Sequence, residues 1–125
     1  MAVSPEFLEF LKDQLSHFGP VRARRMFGGA GLFRDNLMFG LIAEDTLYLK
    51  IDERNRPDYE ASGMAPFTYE GKGKKMQMSY YEIPPEVLED PADLSVWARK
   101  AFEAALAATS PSKRRRRPTM GVVGN

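Results

Sequence analysis

The middle of this chain is a series of short strand-like runs joined by turns too short for a parallel return. Residues 21–27 and 30–33 flank Gly28-Gly29, and residues 37–43 follow the turn Arg34-Asp35-Asn36. After Glu44-Asp45-Thr46, residues 47–52 alternate: Leu47, Leu49 and Ile51 point one way, Tyr48, Lys50 and Asp52 the other. A parallel connection needs a crossover of a dozen residues or more, so these runs form an antiparallel meander. Residues 37–43 are apolar on both faces and read as a central strand. Residues 67–70 and 76–83 are further strands around the Gly- and Lys-rich turn 71–75.

Helical signals bracket the strands. Ser4 can cap a first helix with Pro5 at its first position, and Phe7, Leu8, Leu11, Leu15 and Phe18 form its apolar stripe before Gly19-Pro20 ends it. Residues 55–62 read as a short helix closed by Gly63. Asp90 caps a last helix whose stripe is Leu94, Trp97, Ala98, Ala101 and Ala105. The order predicts an α+β two-layer sandwich: an antiparallel sheet of about five strands with helices packed on one face. It also predicts one domain over residues 1–108 and a disordered basic tail over 109–125.

Charge divides the same way. Residues 109–125 hold Lys113, Arg114, Arg115, Arg116 and Arg117 and no acid, which leaves 13 basic and 17 acidic side chains in the rest. A mildly acidic body is not a general polyanion binder, so affinity for nucleic acid belongs to the tail or to a local patch such as Lys72, Lys74 and Lys75. If all five tail charges neutralised duplex phosphates, binding would weaken roughly 500-fold between 50 and 200 mM salt. The run has no interleaved aromatics and offers no base readout. It suits anionic lipid, or a solubilising role, equally well. The chain has no cysteine, so disulfides and thiolate metal sites are excluded and a reducing, cytoplasmic setting is expected. The N-terminal residues lack a signal-peptide pattern, and the longest apolar run, residues 37–43, is too short to insert in a membrane.

Catalytic chemistry finds little to work with. The Gly28-Gly29-Ala30-Gly31 loop lacks the Lys-Ser/Thr of a phosphate cradle and precedes a strand, which suits a tight turn or bulge. His17 stands alone near a helix end, without a nucleophile or a ligand cluster. Glu44/Asp45, Asp52/Glu53 and Glu89/Asp90 are adjacent carboxylates, but turns and caps account for them. No catalytic residue, cofactor or metal is expected.

The basic and aromatic strand residues suggest binding instead. Arg24 and Arg25, neighbours of Arg22 on opposite strand faces, form with Lys50 and Tyr81 a candidate anion or partner site. The alternative for these arginines is a solvated face with an internal ion pair to Asp52 or Glu82. Tyr80 and Tyr81, with Tyr48, Tyr69 and Phe67, could give one exposed aromatic platform of the kind that stacks single-stranded bases, or ordinary strand packing.

The run Arg24-Arg25-Met26-Phe27-Gly28-Gly29-Ala30-Gly31-Leu32-Phe33 resembles the opening signature of the TfoX N-terminal domain family. Asn36-Leu37-Met38-Phe39-Gly40-Leu41-Ile42, Leu47-Tyr48-Leu49-Lys50-Ile51-Asp52, Pro66-Phe67-Thr68-Tyr69, Met78-Ser79-Tyr80-Tyr81-Glu82-Ile83-Pro84 and Trp97-Ala98-Arg99-Lys100-Ala101 are similar to its later blocks, in order. The resemblance covers about residues 5–108 and implies a two-layer α/β fold. It supplies no catalytic residues. Longer members that regulate competence carry a second, helical domain, whereas residues 109–125 are tail-like. The expectation is a non-catalytic protein-interaction module, an accessory regulator of transcription or competence with an unidentified protein partner, or a homodimer through open sheet edges. The alternatives are nucleic-acid binding through the tail and the Lys-rich turn, and a cryptic small-molecule or enzymatic site.

Overall fold

The computed structural model describes residues 3–26, 28–71 and 73–109. Among these, six strands form one antiparallel sheet, one more than the approximate expectation, in the order β1-β2-β3-β4-β6-β5. The strands are β1 (Arg22–Met26), β2 (Gly29–Arg34), β3 (Leu37–Ala43), β4 (Thr46–Lys50), β5 (Pro66–Gly71) and β6 (Lys74–Glu82). The helices are α1 (Pro5–Gln14), α2 (Arg56–Ala61), α3 (Pro85–Leu88) and α4 (Pro91–Thr109).

Turn chemistry sets the meander. Asp35 and Asn36 both have positive φ, as do Glu44 and Asp45. Two consecutive positive-φ residues match the twist of the strands they join, so β2–β3 and β3–β4 close on two-residue loops. In β3 the register shifts: Leu32 faces Gly40 but Phe33 faces Met38. Phe39 is the extra residue of this bulge. It is fully buried and packs on Phe18 at 5.1 Å and Phe102 at 6.4 Å.

The first and last helices start where expected. Ser4 Oγ accepts from the Phe7 N–H at 3.1 Å, and the Ser4 N–H donates to Asp45 Oδ1 at 2.9 Å, tying α1 to the β3–β4 turn. Asp90 Oδ1 accepts from the Ala92 and Asp93 N–H groups at the head of α4. α1 ends at Gln14, four residues before Phe18. The chain reaches Phe18 through turn bonds to the Leu15 carbonyl, so Leu15 and Phe18 still enter the core. The four-residue α3, begun by Pro85 at its first position, had no periodicity long enough to announce it.

One core lies between the sheet and the helices. It joins Leu11 and Leu15, Ala30 and Leu32, Phe39 and Ile42, Leu47, Leu49 and Ile51, Tyr59, Ile83, Val87, and Leu94, Ala98, Ala101 and Ala105. Every helix contributes to this layer or to the residues packed on it, so the opposite sheet face carries none of the described helices. Arg34 closes the core's end, its guanidinium 4.6 Å from the centre of the Phe18 ring and 5.3 Å from that of Phe102. Asn55, 3% exposed, organises the exit from β4: its Oδ1 accepts from the Asp52 N–H and its Nδ2 donates to the Lys50 carbonyl. The predicted tail lies outside the described residues apart from Thr109, which ends α4. No helix among the described residues is long and apolar enough to cross a membrane.

Candidate binding face

The helix-free sheet face is assembled by register. Arg24 faces Gly31, Gly31 faces Leu41, Leu41 faces Tyr48 and Tyr48 faces Glu82, which sets one row across five strands. Arg22, Phe33 and Met38 make the neighbouring row, and Lys50 pairs with Tyr80. Gly31 is the floor of this surface. A Cβ there would lie 3.1 Å from both Met38 Sδ and Phe33 Cε1 and 3.4 Å from Met26 Cε, so its missing side chain lets those three close over it. Leu41 and Tyr80 are only 6% and 8% exposed although neither belongs to the helix-side core. The face therefore carries its own thin apolar layer, completed by the edge-on contact of Tyr48 with Phe67 at 5.0 Å.

Cations rest on these rings. The Arg22 and Arg24 guanidiniums lie 5.9 and 5.7 Å from the centre of the Phe33 ring, and Lys50 Nζ lies 5.4 Å from that of Tyr80. Arg22 also donates to Asn36 Oδ1 at 2.7 Å, and Lys50 to Ser79 Oγ at 2.6 Å. Burial lowers the Lys50 pKa, partly offset by Asp52. Burial raises the Tyr80 pKa, and burial together with the negative charges of Glu82 and Glu44 raises that of Tyr48. Among the described residues none of Arg22, Arg24 and Arg25 has a carboxylate partner. The ion pairs found elsewhere join Arg54 to Asp52 and Lys100 to Asp58. Asp52 thus serves Arg54 rather than the β1 arginines.

The four residues expected to make an anion or partner site are not brought together. Arg24 lies on the open face, whereas Arg25 points to the helical side and donates to the Val3 carbonyl at 3.4 Å. Lys50 is three strands from β1 on the open face. Tyr81 faces Leu49's side of the sheet and packs on Tyr59 with ring centres 5.8 Å apart. Lys74 and Lys75 are exposed at the start of β6, whereas Lys72 and residues 113–117 lie outside the described residues. His17 is exposed beyond the end of α1, and among the described residues no three His, Cys, Asp or Glu side chains are placed to share a metal. Sequence reasoning missed the cluster of Met26, Phe33 and Met38 over Gly31. The signal was the hairpin register, which sets Arg22 and Arg24 opposite Phe33 and Gly31.

The family model of the TfoX N-terminal domain matches residues 13–105. A curated relative, the DNA transformation protein TfoX1 of Aliivibrio fischeri (strain ATCC 700601 / ES114), is 28% identical over 97 residues. Those residues are 78% of this chain and 44% of the relative, so the chain spans less than half of that protein's length. Strand order, glycine-bearing hairpin and tryptophan-bearing last helix thus meet a match that runs through most of the sheet and of α4: the chain belongs to the TfoX N-terminal domain family.

Proposed function

We propose that this chain is a non-catalytic interaction module, an accessory regulator that works by presenting the open face of its sheet to a protein partner. The observation that carries this reading is the composition of that face. Methionine and aromatic side chains are half-covered, cations sit on the rings, and none of the described helices covers them. Soft and aromatic side chains beside arginine are the residue types that carry binding energy at protein interfaces. The DNA transformation that gives the relative its name is the process in which to look for the partner.

The test is complementation. A strain lacking the gene receives either the wild-type chain or the double variant Lys50→Glu/Phe67→Ser, and transcription from a competence-gene promoter is followed. Wild type restores the response and the variant, with a cooperative thermal melt, does not. Full complementation by a folded variant would sink the reading.

A second reading has one observation in its favour: Lys74 and Lys75 project from an exposed hairpin end. Nucleic-acid binding there, together with residues 113–117, predicts a steep loss of affinity with salt. Deleting residues 109–125 without changing affinity for a DNA fragment at low salt would remove the tail from that reading.

A further inference from the structure

We propose that the free edge of β1 accepts an extended acidic segment of another protein, which adds to the sheet as a seventh strand. This rests on the interaction-module reading above and specifies the partner's chemistry. β1 is the last strand at its end of the sheet, paired on the β2 side only. A terminal strand presents a row of main-chain N–H and C=O groups with no ladder partner, and an extended peptide satisfies them. The sequence of this edge is Arg22-Ala23-Arg24-Arg25-Met26, with all three arginines exposed and none paired to a carboxylate among the described residues.

That charge selects the occupant. A second copy is disfavoured: an antiparallel self-pairing centred on Arg24 sets Arg24 against Arg24 and gathers six arginines in one short ladder. Like charges directly opposite each other destabilise a pair of strands, and opposite charges stabilise it. Carboxylates at alternating positions of an added strand share the roughly 7 Å repeat of Arg22 and Arg24 on the open face. The aromatic support matters too. Arg22 and Arg24 lie over one ring, Phe33, and Arg22 is held by Asn36, so less side-chain freedom is lost when a partner arrives. An open main-chain edge favours a peptide over nucleic acid, because only a peptide continues the ladder. At the other end of the sheet, β5 begins with Pro66, whose nitrogen has no hydrogen to donate.

The experiment uses the full chain and a fluorescent ten-residue peptide alternating Glu and Val. Its controls are the same peptide N-methylated at alternate residues, a Lys-Val counterpart, and a ten-nucleotide oligothymidylate. The expected result is saturable binding of the Glu-Val peptide alone, with new amide hydrogen-exchange protection in β1. Binding should be about tenfold weaker for Arg22→Glu/Arg24→Glu and severalfold weaker for Arg22→Gln/Arg24→Gln. The glutamine variant keeps the test open if charge reversal disturbs folding. Equal binding of the N-methylated peptide would reduce the site to plain charge attraction and overturn strand addition. Preference for the oligonucleotide, or no saturation up to about 1 mM peptide, overturns the proposal as well. If Lys50→Glu/Phe67→Ser abolishes complementation while no acidic peptide binds β1, the interaction-module reading stands and this one falls.

Discussion

Replacing Tyr59 with phenylalanine should stabilise the protein. Tyr59 is 1% exposed, with its ring 4.7 Å from that of Trp97 and 5.8 Å from that of Tyr81. Its hydroxyl is buried without a hydrogen-bond partner among the described residues. A buried hydroxyl left unpaired costs about 1–3 kcal/mol. Removing the oxygen leaves a void of about 10–15 Å³, which at about 24 cal/mol per Å³ costs roughly 0.3 kcal/mol. The net gain is about 0.7–2.7 kcal/mol, or a melting temperature higher by roughly 2–16 °C for a domain of this size. Urea unfolding followed by the fluorescence of Trp97, the single tryptophan, measures it. The same substitution changes the response to alkali. Burial raises the Tyr59 pKa far above its ordinary value, with Asp58 adding to the effect. The unfolded chain releases this proton near pH 10 while the folded chain keeps it. The stability it contributes is therefore whole below about pH 10 and is lost as pH rises beyond, at about 1.4 kcal/mol per pH unit. Tyr59→Phe should remove one proton's worth of that slope and leave the smaller contributions of Tyr80 and Tyr48. A variant less stable than wild type by more than about 1 kcal/mol at pH 7 would show that the hydroxyl is satisfied, and an unchanged alkaline slope would show that Tyr59 does not hold its proton in the folded chain.

Three further substitutions probe the scaffold. Asn55→Ala strips partners from the Asp52 N–H and the Lys50 carbonyl, and should cost about 2 kcal/mol in urea unfolding. Gly29→Ala drives a methyl into the Ile42 carbonyl oxygen, so β2 and β3 must separate; the expected loss is about 3 kcal/mol with a lower melting temperature. Arg34→Met keeps a long stem over Phe18 and Phe102 but removes the charge, and should cost about 1 kcal/mol in the same assay.

The parts of the fold legible from residue order were those written in local patterns. The alternation of Leu47, Leu49 and Ile51, the Ser4 and Asp90 caps, and the apolar stripe from Leu94 to Ala105 each announce an element and its buried side. What alternation misjudges is any place where the period breaks. The bulge at Phe39 puts two successive residues of β3 on the helical side, and no strand template contains that step. The candidate face was harder still. Arg24 and Arg25 were rightly set on opposite sides of a strand, yet grouping them with Lys50 and Tyr81 required strand order, and order is a long-range property. Lys50 and Tyr81 lie on adjacent strands but on opposite faces, because the register pairs Lys50 with Tyr80.

The strand order also governs how the sheet is completed. β4 is bordered on its far side by β6, while β5, which comes earlier in the chain, takes the rim. On a ribosome, the meander from β1 to β4 emerges first and has no cover for Tyr48 and Lys50 until residues 80–82 arrive to pair with them. During that interval the nascent chain exposes an unshielded margin to its neighbours on the polysome. Slowing elongation before residues 80–82 have emerged should therefore raise the insoluble fraction.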